Sequence, residues 1–204
     1  MEKIVLKAQN LSKRFGNQLV FKDFSFELKG PGLYAITGRN GSGKSTLIKI
    51  LCGLLAPTTG RVMPFVNDVE VAEHYFSLIS IATPYQELPE ELSLAELVDF
   101  YSAFRTLNLP DTADLYKNFQ LPVTGQKPIK SFSSGMKQRV RLGIAIYTHA
   151  PFLFLDEPTT NLDATGIQWY KSLIMEQISK KLIVVSSNHL PEEYPNAKGI
   201  FEIQ

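Results

Sequence analysis

The chain has 204 residues, of which 44% are hydrophobic and 20% charged, with a formal net charge of +1. This length allows one sizeable core, or one core with an inserted subdomain, and the composition is that of an ordinary globular protein. The near-neutral charge argues against a nucleic-acid partner, and no apolar run reaches the roughly 18 residues of a membrane span. The single cysteine, Cys52, excludes an intrachain disulfide and an all-cysteine metal site.

The first thirty residues predict β-structure. Short β-branched or aromatic runs, which are typical of strands, lie at 3–7, 18–21 and 24–28. Glycine and asparagine within residues 12–17 predict a loop between the first two strands. Phe15 would then lie on a turn, and a loop residue folded onto the core is the simplest interpretation of it.

A glycine-rich turn follows the next predicted strand, residues 33–36. It reads Gly38-Arg39-Asn40-Gly41-Ser42-Gly43-Lys44-Ser45 and matches the pattern G-x-x-x-x-G-K-[ST]. A predicted helix over 46–51 comes directly after it. The glycines let backbone N–H groups approach an anion, and the helix start adds a partial positive charge. Because Lys44 offers a cation for phosphates and Ser45 a hydroxyl for Mg²⁺, the turn predicts a nucleoside-triphosphate site.

Two further strands come next. Residues 61–65 predict an edge strand, because Pro64 has no N–H for a β-ladder. Residues 78–82 predict a core strand, which ends in a loop that carries one amide side chain, Gln86. Gln86 is therefore a candidate site residue.

From residue 89 the pattern becomes helical. Ser93 and Glu96 form a capping box, and an apolar stripe at helical spacing follows it. A second long helix opens at residues 131–135. Frequent prolines keep the segments between them short. We expect a small, mostly helical insert at this point and not a continuation of the sheet.

The last third of the chain again predicts buried strands that end in polar residues. An apolar strand that starts at Phe152 ends in two carboxylates, Asp156 and Glu157. A predicted helix and strand over 164–186 then lead to His189. The carboxyl ends of parallel strands form the ligand crevice of an α/β sheet. We therefore expect these residues to converge on one bound nucleotide.

Taken together, these motifs resemble the nucleotide-binding subunit of an ATP-binding cassette (ABC) transporter. The family's Walker A motif matches residues 38–45, its Q-loop Gln86, its signature sequence residues 132–136, its Walker B strand residues 152–156, its D-loop residues 161–163 and its switch histidine His189. The six motifs occur in the family's order and span nearly the whole chain.

The resemblance implies a fold and a domain organisation. The fold would be α/β, with the parallel core sheet of a RecA-like P-loop NTPase, an N-terminal antiparallel β-subdomain and an inserted α-helical subdomain. Residues 1–204 would form one domain, in which 1–88 and 150–204 supply the β-subdomain and core and 89–149 the helical insert.

The resemblance also assigns roles in catalysis. Asp156 would hold Mg²⁺ through water, and Glu157 would be the general base for the attacking water. Gln86 would touch Mg²⁺ or that water, and His189 would hydrogen-bond the γ-phosphate. Phe15 lies where the family places an aromatic side chain against adenine.

The predicted ligand would be ATP with Mg²⁺. Its binding residues would be Phe15, Gly38, Arg39, Asn40, Gly41, Ser42, Gly43, Lys44, Ser45 and Thr46. Lys44 would also belong to the catalytic group, with Glu157, His189 and Gln86. Ser45 would contact Mg²⁺, as would Gln86 and Asp156. GTP stays open as an alternative, since an aromatic stack accepts either purine.

The signature segment lies at a predicted helix start, where free N–H groups can bind an anion. Its residues are Ser133, Ser134, Gly135 and Met136, and the D-loop is Asn161-Leu162-Asp163. One interpretation is a helix N-cap with no further role. The family's arrangement is a head-to-tail dimer in which each signature covers the ATP of the other subunit. Phe132, Ser134 and Met136 depart from the leucine, glycine and glutamine that the family often has there.

Three functions remain open at this point. The first is an ATP hydrolase that drives a separate integral membrane subunit docked near Gln86 and residues 89–130, with export as the direction that the resemblance favours. It would be cytoplasmic, peripheral on the inner face of the cell membrane, and paired with an identical or related cassette. The second is a soluble ABC ATPase that acts on ribosomes or DNA, which the neutral charge disfavours. The third is a non-hydrolysing clamp, which Glu157, Lys44 and His189 disfavour.

Overall fold

The computed structural model describes residues 2–84, 86–111, 114–122 and 126–203. Within these residues the strands are β1 (Ile4–Phe15), β2 (Gln18–Gly30), β3 (Gly32–Thr37), β4 (Thr59–Val66), β5 (Val69–Glu70), β6 (Ile79–Ala82), β7 (Phe152–Asp156), β8 (Leu182–Ser187) and β9 (Gly199–Glu202). The α-helices are α1 (Lys44–Leu51), α2 (Leu94–Ser102), α3 (Leu115–Asn118), α4 (Ser134–Tyr147) and α5 (Ala164–Gln177). Short 3₁₀ helices cover Ala72–Leu78, Ile129–Ser131 and Pro191–Glu193.

The strands form two sheets. An antiparallel sheet from the N-terminal region has the order β2-β1-β4-β5. The second sheet has five parallel strands in the order β6-β7-β8-β3-β9. Helices α2, α3 and α4 lie in the chain between β6 and β7. The predicted fold class is confirmed: an α/β P-loop core with an antiparallel β-subdomain and a helical insert.

The predicted loop over residues 12–17 is wrong. Strand β1 continues to Phe15 and pairs with β2 up to its last residue, so that only Gly16 and Asn17 form the turn. Register shifts interrupt the pairing along the way. The hydrophobic pattern missed this extension because a largely solvent-facing hairpin can be built from polar residues.

The strand predicted over residues 61–65 is β4, but its predicted edge position is wrong, because β4 lies between β1 and β5. The carbonyl of Pro64 accepts a hydrogen bond from the N–H of Val71 at 2.9 Å, so the hydrogen-bonding side of Pro64 faces β5. Strand β5 pairs only with Phe65 and Val66. Pro64 is tolerated inside the sheet because the short strand β5 does not extend to pair with it, so no ladder bond requires the N–H that proline lacks.

The central strands β3, β7 and β8 of the parallel sheet are buried on both faces, and neighbouring residues of a strand pack into different cores. In β8, Leu182 and Val184 pack with the antiparallel sheet and α1. Ile183 and Val185 pack instead with α4 and α5. This two-residue period is what a strand covered on both sides requires. The residues at the carboxyl ends of these strands are thereby held rigidly at one edge of the sheet.

The helical region begins with the predicted capping box. The hydroxyl of Ser93 accepts from the N–H of Glu96, and the carboxylate of Glu96 accepts from the N–H of Ser93. Leu94 and Leu97 on α2 are buried. We propose that residues 89–149 are the helical insert of one domain that spans 1–204, with 1–88 and 150–204 as its remainder.

The longest α-helices, α4 and α5, have 14 residues each. Among the residues that the structure describes, no helix combines the length and the apolar character needed to cross a membrane.

A buried lysine joins the start of β8 to the end of α4. The side chain of Lys181 donates to the carbonyls of Ile146 and Thr148 at 2.7 and 2.6 Å, and Lys181 is almost fully buried. These carbonyls lie at the helix C-terminus, where a cation is favourable. Burial and, to a smaller extent, the neighbouring charge of Lys180 together lower the pKa of Lys181 to about 8.

The pKa of Lys181 predicts a pH-dependent stability. Between about pH 8 and 10 the unfolded chain keeps the lysine proton and the folded chain loses it, so the free energy of unfolding gains a contribution as pH rises. We expect the unfolding free energy of the wild type, relative to that of Lys181→Met, to rise over this window by up to about 3 kcal/mol. Urea unfolding at several pH values measures it. A difference that does not change with pH would contradict the assigned pKa.

Candidate nucleotide-binding site

The glycine-rich turn between β3 and α1 has the conformation that its sequence requires. Gly43 is the N-cap of α1 and has a φ of 101°, which favours glycine. A Cβ on Gly43 would lie 2.5 Å from Cγ1 of Val20. Gly43 therefore allows both the turn and the close approach of β2. No side chain caps the start of α1, so its first N–H groups remain available to a ligand.

A cavity of about 430 Å³ lies over the start of α1. It is lined by Val20, Asn40, Gly41, Gly43, Lys44, Ser45, Thr46 and Glu157. Six of these residues belong to the predicted nucleotide-binding set, and Glu157 is the predicted base. Val20 was missed by the sequence analysis, since nothing in a strand residue indicates that it faces a distant turn. The cavity can hold the phosphates of a nucleotide against the helix N-terminus.

Lys44 and Glu157 meet in this cavity although they lie far apart in sequence. The Nζ atom of Lys44 donates to the carbonyls of Gly38 and Arg39 at 2.9 and 3.0 Å. It also lies 3.8 Å from Oε1 of Glu157. The Lys44 side chain is only 4% exposed and that of Glu157 34%. A buried cation suited to bind phosphate and an accessible carboxylate thus occupy one pocket.

The two carboxylates at the end of β7 have different surroundings. Asp156 is 2% exposed, and one of its carboxylate oxygens accepts a hydrogen bond from the hydroxyl of Ser186. Glu157 has a φ of 45°, and its N–H donates to the carbonyl of Ser186 at 3.0 Å. The left-handed backbone at Glu157 ends the strand and is of the strained kind found at functional sites. Asp156 is suited to a fixed ligand, and Glu157 to contact with substrate.

Arg39 and Ser42 line the opposite side of the loop. With Glu202 and Ile203 they border a neighbouring cavity of about 340 Å³. The Oγ atom of Ser42 is buried and has no hydrogen-bond partner within the described residues. Buried hydroxyls are normally paired. This hydroxyl fits a loop built to contact a polar ligand.

Gln86 does not line the cavity over α1. Its side chain instead hydrogen-bonds the hydroxyl of Tyr101 on α2, and its carbonyl accepts from Nε of Arg141 at 2.7 Å. Burial raises the pKa of Tyr101 and this hydrogen bond lowers it. The structure thus places Gln86 toward the helical insert, and its contact with Mg²⁺ stays a prediction.

His189 follows β8 and has a φ of 57°. Its Nε2 atom lies 3.9 Å from Oε1 of Glu202, and its side chain is half exposed. The residue lies at the same edge of the sheet as Asp156, because β8 pairs with β7 up to Ser186. It does not line the cavity with Lys44. Its bond to a γ-phosphate stays a prediction.

Phe15 ends β1 and is 52% exposed. The Nζ atom of Lys13 lies 4.8 Å from the centroid of its ring. The interpretation of Phe15 as a loop residue folded onto the core is therefore wrong. An exposed ring is free to stack on a base, but Phe15 does not line the phosphate cavity, and its contact with adenine stays a prediction.

A second cavity, of about 400 Å³, brings the signature and the D-loop together. Its lining contains Gln120, Leu121, Pro122, Ser133, Ser134, Gly135, Met136, Arg139, Asn161 and Asp163. Ser133 is the N-cap of α4, and its hydroxyl accepts from the N–H of Met136 at 3.2 Å. Leu162 packs against the core instead. All four signature residues and two of the three D-loop residues thus face one space.

Backbone contact explains the glycine of the signature. A Cβ on Gly135 would lie 2.9 Å from the carbonyl oxygen of Asn161. Asn161 has a φ of 66°, which turns this carbonyl toward α4. Any substitution of Gly135 therefore displaces the D-loop as well as the signature.

Arg139 holds the two motifs together and was missed as a site residue. Its Nη2 atom donates to Oδ1 of Asp163 at 2.6 Å and to Oγ1 of Thr165 at 3.0 Å. Asp163 caps α5 and accepts from the N–H of Gly166 at 2.8 Å. That N–H, then Arg139 and Thr165, lower the pKa of Asp163. In the sequence, the one signal that pointed to this pair is Asp163, which stands directly before the predicted helix start.

The residues present fit Mg²⁺ delivered with a nucleotide. Within the described parts of the chain, no group of three or more His, Cys, Asp or Glu side chains could hold a metal ion. Mg²⁺ in nucleotide sites takes one or two protein oxygens, with phosphates and water as its other ligands. Ser45 in the cavity and Asp156 at the end of β7 offer such oxygens.

Comparison with known proteins agrees with this geometry. A protein-family model described as "ABC transporter" matches residues 21–160. The chain is 32% identical over 199 residues to the cytochrome c biogenesis ATP-binding export protein CcmA of Rhizobium etli, covering 96% of this chain and 93% of CcmA. It is 30% identical over 189 residues to the lantibiotic transport ATP-binding protein SrtF of Streptococcus pyogenes, covering 93% and 82%.

Solved structures also match this chain along nearly its whole length. The ATP-binding subunit of an ABC transporter superposes with a TM-score of 0.83 at 27% identity, covering 98% of this chain and 86% of that one. A dimeric ATP-binding cassette bound to ADP and Pi superposes with a TM-score of 0.77 at 21% identity, covering 98% and 94%, and supports the fold. The chain belongs to the ABC transporter family. Within that family it is an ATP-binding subunit.

The unpaired hydroxyl of Ser42 allows a test of ligand contact. Removal of a buried hydroxyl without a partner costs little, so Ser42→Ala should change the free energy of unfolding of the free protein by less than about 0.5 kcal/mol. If a phosphate accepts from this hydroxyl, Mg·ATP should raise the melting temperature of the variant less than that of the wild type. Ser131→Ala is the control, because the hydroxyl of Ser131 already donates to the carbonyl of Pro128. An unchanged response of Ser42→Ala to Mg·ATP would exclude the contact.

Proposed function

We propose that the chain hydrolyses ATP, with Glu157 as the general base. The observation that carries the proposal is the 3.8 Å approach of Glu157 Oε1 to Lys44 Nζ in the cavity over α1. A triphosphate held by the loop amides and Lys44 would end next to this carboxylate. Glu157 would then accept a proton from a water molecule aligned with the γ-phosphate.

The other residues of the site would bind and orient. The N-terminus of α1 and Lys44 would hold the phosphates, and Asp156 and Ser45 would hold Mg²⁺. When bound, Mg²⁺ would neutralise the charge that develops on the phosphate oxygens. His189 would donate to the γ-phosphate from the end of β8. Ser186, through its bonds to Asp156 and Glu157, would keep both carboxylates in place.

The site would be completed by a second cassette. The residues that line the cavity over α1 and those that line the signature cavity share no member. The first cavity holds the phosphate-binding helix start, and the second contains another helix start with exposed serines. A head-to-tail dimer, of two identical chains or of two related ones, would place the second against the ATP held by the first. The neighbour structure described as a dimeric cassette supports the pairing of two cassettes.

The work of the dimer would be transport through a separate integral membrane subunit. A cavity of about 260 Å³ opens between β6 and the helices α2 and α4, and it contains Gln86, Tyr101 and Arg141. Phe100 on α2 and Phe104 just after it are exposed, with ring centroids 5.4 Å apart, and the ring of Phe100 also contacts that of Tyr101. An exposed apolar patch beside Gln86 suits a protein partner. The chain would then be peripheral on the cytoplasmic face of the membrane.

The names of the relatives support export as the direction. CcmA is named an ATP-binding export protein and SrtF a lantibiotic transport protein. The two names indicate different cargoes, so neither cargo is assigned to this chain.

The role of Glu157 predicts the behaviour of its amide variant. Glu157→Gln should lower the turnover of ATP by roughly 10²- to 10⁴-fold, because an amide cannot accept the proton of water. Binding of Mg·ATP should persist, since the loop and Lys44 are unchanged. Phosphate release and equilibrium nucleotide binding measure the two effects.

The matched control for the base is Glu176→Gln, at an exposed position on α5. It should hydrolyse ATP at the wild-type rate. Unchanged hydrolysis by Glu157→Gln would remove Glu157 from the role of base, and loss of binding would show that the carboxylate holds the nucleotide instead.

The trans contact of the signature is best tested at Ser134. This residue is exposed in the first turn of α4, where a carboxylate stabilises a helix. Ser134→Asp should therefore keep the stability of the chain and its affinity for Mg·ATP as a monomer. In the Glu157→Gln background it should abolish ATP-driven dimerisation, because it sets an anion against the γ-phosphate of the partner. Ser134→Asn is the uncharged control.

Sedimentation or light scattering with Mg·ATP measures the dimer. Dimerisation of Ser134→Asp at the level of Ser134→Asn would rule out a phosphate contact at this position. Gly135 is less suitable for this test, because a side chain there would also displace Asn161.

A further inference from the structure

A fully buried glutamate lies beneath the catalytic residues, outside all motifs named above. Glu193 is 1% exposed and ends the 3₁₀ helix Pro191–Glu193. Its Oε1 atom accepts two hydrogen bonds from Thr159, from the N–H at 3.0 Å and from the hydroxyl at 2.6 Å. A buried carboxyl group is costly unless it is hydrogen-bonded. This pairing is therefore a defined structural contact between two segments that lie 34 positions apart.

Thr159 occupies a central place in the catalytic segment, residues 157–163. It lies two residues after Glu157 and two before Asn161. The carbonyl of Glu157 accepts from the N–H of Thr160 at 3.1 Å, and the carbonyl of Thr159 accepts from the N–H of Leu162 at 3.0 Å. These bonds make the segment a compact turn, so that a displacement of Thr159 would move both Glu157 and the D-loop.

Glu193 belongs to the histidine segment, residues 187–193. Its N–H donates to the carbonyl of Leu190 at 3.0 Å, directly after His189 with its positive φ. Its carbonyl accepts from the hydroxyl of the fully buried Tyr170 on α5 at 2.6 Å. The main chain of Glu193 is therefore fixed to α5, while its side chain is fixed to the catalytic segment.

Electrostatics agrees with this proximity. Burial raises the pKa of Glu193, and the negative charge of Glu157 adds to this rise, against the lowering by hydrogen bonds from Ser187 and Thr159. The carboxyl group of Glu193 thus lies within electrostatic reach of the proposed base.

We propose that Glu193 is a positioning residue that holds the catalytic and histidine segments as one rigid unit. It lines neither the cavity over α1 nor the signature cavity. It acts by keeping the carboxylate of Glu157 and the imidazole of His189 at a constant separation and orientation during hydrolysis. The inference rests on the proposed function, since it takes Glu157 and His189 as the residues that act on ATP.

Two isosteric variants separate positioning from ordinary stability. Thr159→Val removes the hydroxyl bond to the side chain of Glu193, and Tyr170→Phe removes a hydroxyl bond of the same length to its main chain. Both remove one buried hydrogen bond from the same residue, so both should lower the melting temperature. Only Thr159→Val weakens the link between the two segments, since it removes the hydroxyl bond and leaves the N–H of residue 159 as a donor to Oε1 of Glu193. We expect it to lower kcat about tenfold with KM for ATP unchanged, and Tyr170→Phe to keep kcat within twofold of the wild type.

Variants of the glutamate itself show which property matters. Glu193→Gln keeps an oxygen acceptor for Thr159 and should retain kcat within about threefold. Glu193→Ala should lose at least as much activity as Thr159→Val if it folds. A loss of activity in Glu193→Gln as large as that of Thr159→Val would overturn the proposal, because the charge and not the acceptor would then be required.

Hydrogen exchange of the full chain tests the link without hydrolysis. Thr159→Val should raise amide exchange in both segments, 157–163 and 187–193, whereas Tyr170→Phe should raise it only around Glu193 and α5. Equal exchange and equal kcat in the two variants would overturn the positioning role. A wild-type chain that does not hydrolyse ATP, together with coupled exchange, would instead refute the proposed function and leave the link between the segments intact.

Discussion

The site depends on the position of one strand, β8, between β3 and β7. Hydrogen bonds of the parallel ladder set Thr37 beside Ser187 on one side and Asp156 beside Ser186 on the other. Every residue of β8 is buried and its apolar side chains alternate between two cores, so a slip of the ladder by one residue would place each of these side chains in the wrong core. The hydroxyl of Ser186 then donates to the carboxylate of Asp156, and its carbonyl accepts from the backbone N–H of Glu157. The distance between the glycine-rich loop and Glu157 is thus set by the packing of a strand that belongs to neither.

Much of this arrangement could be predicted from the sequence. The glycine-rich loop, the capping box at Ser93 and the carboxylates after β7 are local patterns whose chemistry is independent of the rest of the chain. Their convergence followed from the rule that ligands bind at the carboxyl ends of parallel strands. The residues that line the cavity over α1 are the predicted loop and helix-start residues and the predicted base Glu157, with Val20 as an addition.

The remainder could not be predicted, because it depends on tertiary packing. The hairpin of β1 and β2 extends through polar residues whose strand character comes from pairing and not from periodicity. Nothing in the sequence near Gln86 shows that its amide turns toward Tyr101. The pairs Arg139 with Asp163 and Glu193 with Thr159 join segments far apart in the chain, and no spacing rule connects such residues.

The hydrogen bonds of Lys44 have a consequence for affinity. Because Nζ already bonds the carbonyls of Gly38 and Arg39, the flexible side chain has lost most of its rotamer freedom before any ligand arrives. Ordering a long side chain on association typically costs about 0.5–1.5 kcal/mol. In this loop that entropy has been given up during folding, so the phosphates of an incoming nucleotide meet a cation that is already preorganised.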